Sequence, residues 1–464
     1  MVCLAAGPCR GSLVSRYAAT LRGFSRDARL LLASWTLGAI GAGAVGTLYN
    51  LYLVALGYRE DFLGLLLFVG ALAGGLAALP AGWLSDRAGA RPAMLGGMVV
   101  LGAAMLVAYL ATMAWLLLVG AAVAAAAVAV VSVAQTPLLY SSSGPHERTH
   151  LFGAGDALFI VSSAVGSLLA GLLVAPVRTL WPQLELAGAY RLVLLAVSAI
   201  AALAVVPLYF VRPDGRSVRD PLMRERRYNS AGARPGLRDL LARVRGPAAT
   251  VIWKLSLANA VMAFGAGLSI PFLNIFLVER LGADAAAVSL VRAASTLGSA
   301  AGALAGPLAA GALGAVPAVA LARLASVPFL WLLGLTGNLS LAGAAYMLRA
   351  ALVNAAGPII AAFSMDVVDA AWRARANASL MVSWGLAYAL GSLAGGALLA
   401  GWPRLALVPW PLRHGGYTVA FALTGALYVA AAVLFWAMFR EGGVDRAKAP
   451  TLGQSTPTSR AGMG

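Results

Sequence analysis

Charge is what this sequence has least of. Asp, Glu, Lys and Arg together make up 11% of its 464 residues, 61% are hydrophobic and the mean hydropathy is +0.84. A soluble domain of this length needs far more polar surface, so a water-soluble globular fold is excluded. Lysine is almost missing, with two against 32 arginines, and acids are few, which leaves a net charge of +17. Cysteine is confined to Cys3 and Cys9, at a spacing that fits no zinc pattern and with no framework of disulfides to build. His146, His150 and His414 are too scattered for a metal cluster. No Walker loop, HExxH or GxSxG occurs, so no cofactor, no metal, no nucleotide-driven pump and no enzyme is expected. The first 25 residues lack the apolar core of a cleaved signal, so the first span is expected to act as the insertion signal.

What is there is a series of apolar runs of about 20 residues, the length that crosses about 30 Å of hydrocarbon. They predict an all-α membrane protein with twelve spans, at about 30–55, 63–84, 93–112, 115–140, 150–175 and 190–211, then 249–279, 286–311, 314–335, 339–364, 376–401 and 416–439. The organisation that follows is an Arg-rich arm (1–28), a six-helix half (29–211), an Arg-rich linker (212–247), a second six-helix half (248–440) and a tail (441–464). With twelve spans both termini lie on one side. The arm, linker, tail and loops of that side carry 25 Lys and Arg, against six in the opposite loops, with Lys254 and Arg191 at span ends counted with the side they adjoin, and three, Arg292, Arg323 and Arg349, lie deeper within spans. The positive-inside rule then places termini and linker in the cytoplasm. This placement of charge points to anionic headgroups as partners and away from nucleic acid.

The halves repeat. Gly41-Ala-Gly43 with Asn50-Leu-Tyr-Leu-Val54 returns 224 residues later as Gly265-Ala-Gly267 with Asn274-Ile-Phe-Leu-Val278. At an offset of 225, Gly89-Ala-x-Pro92 matches Gly314-Ala-x-Pro317, Arg148 matches Arg373, and Gly166-Ser-Leu168 with Gly171 matches Gly391-Ser-Leu393 with Gly396. An offset of six spans gives both halves the same orientation, a parallel repeat.

Between the second and third runs stands Pro80–Pro92, where Gly82, Asp86, Arg87, Gly89 and Arg91 form G-x-x-x-D-R-x-G-x-R. This spacing resembles the signature loop of the major facilitator superfamily. The resemblance implies a 6+6 bundle working by alternating access around a midplane cavity, and a gating role for this loop, with Asp86 facing the start of span 11 near Arg373 to Asn377. Arg87 and Arg91 are then expected to hold carboxylates such as Glu147 or lipid phosphates. In the second half the charges are gone: Gly311, Ala312 and Val316 occupy the positions of Asp86, Arg87 and Arg91.

Charges inside lipid cost about 2.5–3.5 kcal/mol each on insertion scales, so each marks a partner, a cavity or a path to the interface. Arg349, about 15 Å into span 10, lies in one of the spans (1, 4, 7 and 10) that line the cavity in this superfamily, and is the leading substrate or coupling candidate. Asp156 is the one carboxylate well inside a predicted span, with Ser163 and Ser167 on its face. It serves either proton coupling or an interhelical bond. Arg292 and Arg323 are read as snorkelling or packing residues. Asn50 and Asn274, at equivalent outer positions, either close the outer gate across the halves, touch substrate or pack helices. Gln135, Asn259, Tyr346, Asn354, Trp384 and Tyr388 are further polar or aromatic candidates. Gly41-x-Gly43-x-x-Gly46 matches a dinucleotide fingerprint in form only, since no strand precedes it.

Span 5 reads Gly166-Ser-Leu-Leu-Ala-Gly171 where proton-driven drug antiporters of the superfamily often have G-P-x-x-G-G, and the subfamily stays unassigned. The expectation is a monomeric secondary transporter of a bacterial inner membrane. Proton-coupled efflux of an organic small molecule is preferred, with uptake of an anionic metabolite as the alternative and a membrane sensor or scaffold as a third.

Overall fold

The computed structural model describes residues 24–142, 148–212, 247–368, 372–401 and 415–440. Most of the arm, the linker, the tail, Cys3, Cys9, His146, Glu147 and His414 lie outside them. The described chain is helical throughout, and twelve helices are long and apolar enough to cross a membrane. They are α1 (Arg26–Ala55), α2 (Glu60–Ala88), α3 (Ala90–Leu110), α4 (Ala114–Ser141), α5 (Arg148–Leu180) and α6a (Leu186–Ala202), which ends in a short α6b (Val205–Tyr209). The second set is α7a (Pro247–Ser269) and α7b (Leu273–Glu279), α8 (Ala285–Leu313), α9 (Ala315–Leu335), α10 (Leu339–Val367), α11 (Arg373–Gly401) and α12 (Gly416–Phe439). Three helix starts are capped by a side-chain oxygen: Ser25 Oγ accepts from Ala28 N at 3.1 Å, Asp284 Oδ1 from Ala287 N at 2.8 Å and Asn338 Oδ1 from Leu341 N at 3.1 Å. The α7 break is a 3₁₀ turn at Ile270–Phe272, where Pro271 has no N–H to continue the helix ladder.

The sequence repeat is a structural one. α1 packs on α5 and α2 on α4, and six helices later α7 packs on α11 and α8 on α10. The repeated glycines are where backbones touch. A Cβ on Gly43 or Gly166 would stand 1.9 Å from the carbonyl oxygen of Ser163 or Ile40. At the equivalent positions Gly267 and Gly391 it would stand 2.3 Å from Tyr388 O and 2.2 Å from Phe264 O. Small residues thus set the α1–α5 and α7–α11 spacing, as expected where lipid leaves packing as the main attraction. The halves meet through α2 on α11 and α5 on α8.

The Gly82–Arg91 segment differs from the expected loop. α2 runs through Asp86 and Arg87 to Ala88, and α3 begins at Ala90, so Gly89 alone breaks the chain at φ 95°. A single residue in that region suffices for the turn only because it has no side chain. Gly314 makes the same one-residue break between α8 and α9 at φ 85°. Asp86 and Arg87 are therefore last-turn helix residues and Arg91 a first-turn residue.

Apolar packing divides the bundle along its axis. The side carrying Ser25 and Arg440 is called the near side and the other the far side. Far-side residues of both halves, including Leu48, Tyr52, Phe272 and Phe276, form one core cluster that reaches Tyr428 at mid-depth. On the near side each half keeps its own, around Leu31, Met94 and Leu138 in one and Val319, Phe363 and Phe435 in the other.

Candidate transport cavity

The far side is stitched shut by polar bonds between the halves. Asn50 Nδ2 donates to Pro271 O at 2.8 Å, the carbonyl freed at the α7 break. Asn274 Nδ2 donates to Gly46 O and Thr47 O, each at 3.0 Å. The two pseudo-equivalent amides thus each reach the backbone of the other half. Ser167 Oγ lies 2.6 Å from Thr47 Oγ1 and donates to Ser289 O of α8 at 3.3 Å. Arg59 Nη2 donates to Ala400 O at 2.6 Å, and Tyr417 Oη donates toward Glu60 Oε1 at 3.1 Å. Backbones close in around these bonds: a Cβ on Gly64 would stand 2.5 Å from Ser392 O, and one on Gly171 2.4 Å from Ala285 O.

The same helix faces are exposed on the near side. Eleven residues are three helical turns to within ~20°. Asp156 stands eleven before Ser167, on the face of α5 that meets α8 further along, and it is exposed. Met381 stands eleven before Ser392 on the α2-facing side of α11, and is 68% exposed. Gly75, eleven after Gly64 on α2, is exposed too. The halves form a wedge, closed at the far side and parted toward the near side.

At the closed end of this wedge the second half supplies cations. Arg349 is 6% exposed; its Nη2 donates to Tyr428 Oη, and its guanidinium lies 5.3 Å from the Tyr428 ring centre. Its Nε is buried without a hydrogen-bond partner, and so is that of Arg292. Arg292 reaches across to the first half: its Nη2 stands 2.8 Å from where a Cβ on Gly46 would be. Tyr388 interacts electrostatically with both arginines, and with Tyr346 and Tyr428. Arg323, 2% exposed, donates from Nη1 to Ala431 O at 3.5 Å and lies 5.5 Å from the Phe435 ring centre. Neither Arg292 nor Arg323 snorkels; both turn into protein. Among the described residues the carboxylates of this half, Glu279, Asp284 and Asp366, all lie within a turn of a helix end. Among the described residues the guanidiniums have no carboxylate of their own half at their depth.

The first half contributes an apolar wall. A pocket of ≈ 570 Å³ is lined by Tyr49, Leu66, Gly70, Met105, Ala121 and Gly385 among others. It adjoins the arginines on two helices: Tyr49 is one turn beyond Gly46 on α1, and Gly385 one turn before Tyr388 on α11. The volume is that of an organic-molecule site.

Of the remaining candidates, Gln135 is half-buried with Nε2 unpartnered. Asn259 Nδ2 donates to Leu380 O at 3.2 Å, and Asn354 Nδ2 to Ser299 Oγ at 3.1 Å and Ala350 O at 2.8 Å, bonds within the second half. Tyr346 is buried and Trp384 is 39% exposed. Ser163 packs its backbone against Gly43. Arg91 donates from Nη2 to Tyr209 O and lies 5.6 Å from that ring, so it ties α3 to α6b rather than to a carboxylate. Arg87 lies over Trp83 at 5.2 Å, and Arg373 Nε donates to Met365 O at 2.8 Å. Sequence reasoning missed Tyr428, Glu60, Glu279 and Tyr417. A tyrosine within span 12 and acids at span ends were visible, but their partners lie in helices distant in sequence.

This architecture is that of a two-half membrane transporter, and the chain belongs to the Major Facilitator Superfamily, whose sequence model matches residues 30–258. A bacterial homolog of the human lysosomal transporter Spinster, in an inward-facing and occupied conformation, is similar with a TM-score of 0.70 at 18% identity, over 93% of this chain and 98% of that one. A D-xylose–proton symporter is similar with a TM-score of 0.66 at 15% identity, over 90% and 97% of the two chains. The nucleoside transporter NupG, as a mutant, gives 0.69 at 12% identity over 89% and 100%.

Proposed function

We propose that this protein is a secondary transporter that moves an organic anion across the membrane by alternating access, as a monomer, with the near side in the cytoplasm. The observation that carries this reading is the pair Arg349, which is buried, and Arg292, which is half-buried with its Nε enclosed. Arginine stays charged in any protein environment, and a buried guanidinium without a counter-charge is costly. A carboxylate or phosphate on the substrate supplies that counter-charge, and the apolar pocket beside it accepts the organic remainder. Because Arg292 also touches α1, an anion held there contacts both halves, which is what a substrate needs to favour their closing together. The uncovered faces of α5 and α11 give it a way in from the near side. Positive-inside counting supports the orientation. A cavity between two halves of one chain needs no second copy.

A second reading, proton-coupled efflux, is favoured by Asp156, a carboxylate exposed on the cavity-side face of α5. It could exchange a proton with water on the near side in each cycle. Gating by Asp86, Arg87 and Arg91 belongs to this proposal too, since the near-side contacts expected of them form when the wedge closes there.

The test is flux in proteoliposomes under an imposed pH gradient, with labelled organic acids screened in both directions. Anion flux lost in Arg349→Ala supports the main reading; proton-linked outward flux of neutral or cationic solutes, abolished by Asp156→Asn, supports the second. No flux of any solute under any gradient contradicts both.

A further inference from the structure

We propose that Glu60, Glu279 and Tyr417 form a proton-holding latch that keeps the far side shut, and that loss of its proton lets the far side open. Glu60 begins α2 in the first half, while Glu279 ends α7b and Tyr417 begins α12 in the second. Tyr417 Oη lies 3.1 Å from Glu60 Oε1 and 3.2 Å from Glu279 Oε2. The cluster therefore bridges the two halves through one hydroxyl, and the ring of that tyrosine rests on Phe276 at 5.4 Å.

The proton count decides what this geometry means. A phenol has one hydrogen to donate, and an ionised carboxylate only accepts. Glu279 is exposed and Glu60 half-buried; with both ionised, Tyr417 donates to one of them, the other faces its hydroxyl lone pair to lone pair, and two negative charges are brought together across the seam. One added proton resolves both problems. The protonated carboxyl donates to Tyr417 Oη, Tyr417 donates to the other carboxylate, and the net charge of the trio falls from −2 to −1. The closed seam thus binds a proton more tightly than the parted one, so closure is favoured at low pH and lost as pH rises.

The surroundings leave this proton exchangeable. A cavity of ≈ 370 Å³ lies beside the cluster, lined by Tyr58, Arg59, Glu60 and Glu279, on the far side where water enters. Arg59 spends one guanidinium nitrogen on Ala400 O at 2.6 Å and adds a positive charge near the acids. Tyr58 Oη donates to Thr112 O at 2.7 Å, and Asp61 Oδ1 accepts from Phe62 N at 2.8 Å. Arg280, next to Glu279, is exposed, and Asp284 caps α8. The α11 end offers Leu399 and Ala400, which carry no titratable group. Among the described residues, these are the charged and titratable neighbours on the packed elements. The latch and its proton stand apart from the charge of any substrate.

The experiment is a distance measurement between spin labels at Leu186→Cys and Leu335→Cys, exposed far-side positions on α6a and α9, in full-length protein carrying Cys3→Ser and Cys9→Ser, between pH 5 and 9. A shorter, closed distance should dominate at low pH and yield to a longer one, the ratio changing by up to about tenfold per pH unit if one proton is linked. Glu279→Gln and Glu60→Gln place a neutral amide donor against Tyr417, and each should hold the short distance at every pH. Tyr417→Phe should remove the pH step. A wild-type distribution that does not move with pH overturns the latch, as does a Glu→Gln pair that titrates like wild type; the Gln variants keep the test intact if Tyr417→Phe fails to fold.

Discussion

The two halves share a backbone and divide the charge between them. At the near-side break the first half carries Asp86, Arg87 and Arg91, where the second has Gly311, Ala312 and Val316, yet Gly89 and Gly314 turn the chain alike at φ 95° and 85°. Deep in the bundle the contrast reverses: the second half holds Arg292, Arg323 and Arg349 while the first offers the apolar pocket around Gly70 and Ala121. Packing needs only the glycines, and those are duplicated. In the proposed cycle these are the places where each half would have its own task, the near-side end of the first and the cavity face of the second.

Removing the deep charge should have the largest effect. Arg349→Ala also leaves Tyr428 without its partner, and truncating one member of a buried charged contact costs about 2–5 kcal/mol. Substrate affinity should fall by at least about 30-fold in equilibrium binding, with Arg349→Lys retaining part of it. An unchanged affinity removes the arginine from the site and dissolves the contrast between halves.

The shared backbone predicts equal sensitivity at equivalent glycines. Gly166→Val and Gly391→Val each push a side chain into a carbonyl of the partner helix, at 1.9 and 2.2 Å from the first carbon alone. Each should destabilise by about 1–3 kcal/mol, read as a similar drop in the detergent Tm. A large loss in one half only would mean that the repeat is one of sequence more than of packing.

The far-side amides come next. Interhelical hydrogen bonds in membranes average about 0.6 kcal/mol. Asn274→Ala gives up two contacts and Asn50→Ala one, so both should shift the closed-to-open ratio a few-fold in far-side spin-label distances, Asn274→Ala more. The smallest effect is expected at the near end. Asp86→Asn should change the accessibility of near-side cysteines modestly, because the wedge is parted there; unchanged transport together with unchanged accessibility on both faces would end its gating role.

Much of this fold is written linearly. Apolar run length predicts all twelve spans, and Gly41-Ala-Gly43 against Gly265-Ala-Gly267 announces the repeat before any coordinates. Helix ends are harder to read: α2 continues four residues past the predicted 84 because Asp86 and Arg87 are compatible with a last turn, and only Gly89 needs to leave it. Helix rotation is not written at all. Arg292 reads as a snorkelling or a packing residue, and only the packing of α8 on α5 turns it toward Gly46. The Tyr417 cluster joins residues 357 and 138 positions apart, at helix ends where acids look like ordinary interfacial groups.

A cavity flanked by Arg292 and Arg349 should accept a negative charge. The direct measurement is the thermal shift of the purified protein with a panel of organic acids, each set against its primary amide, since ligand binding to the folded state raises Tm in proportion to occupancy. Acids that bind should stabilise the wild type, their amides should not, and Arg349→Ala should abolish the difference. Amides that stabilise as well as their acids would contradict this.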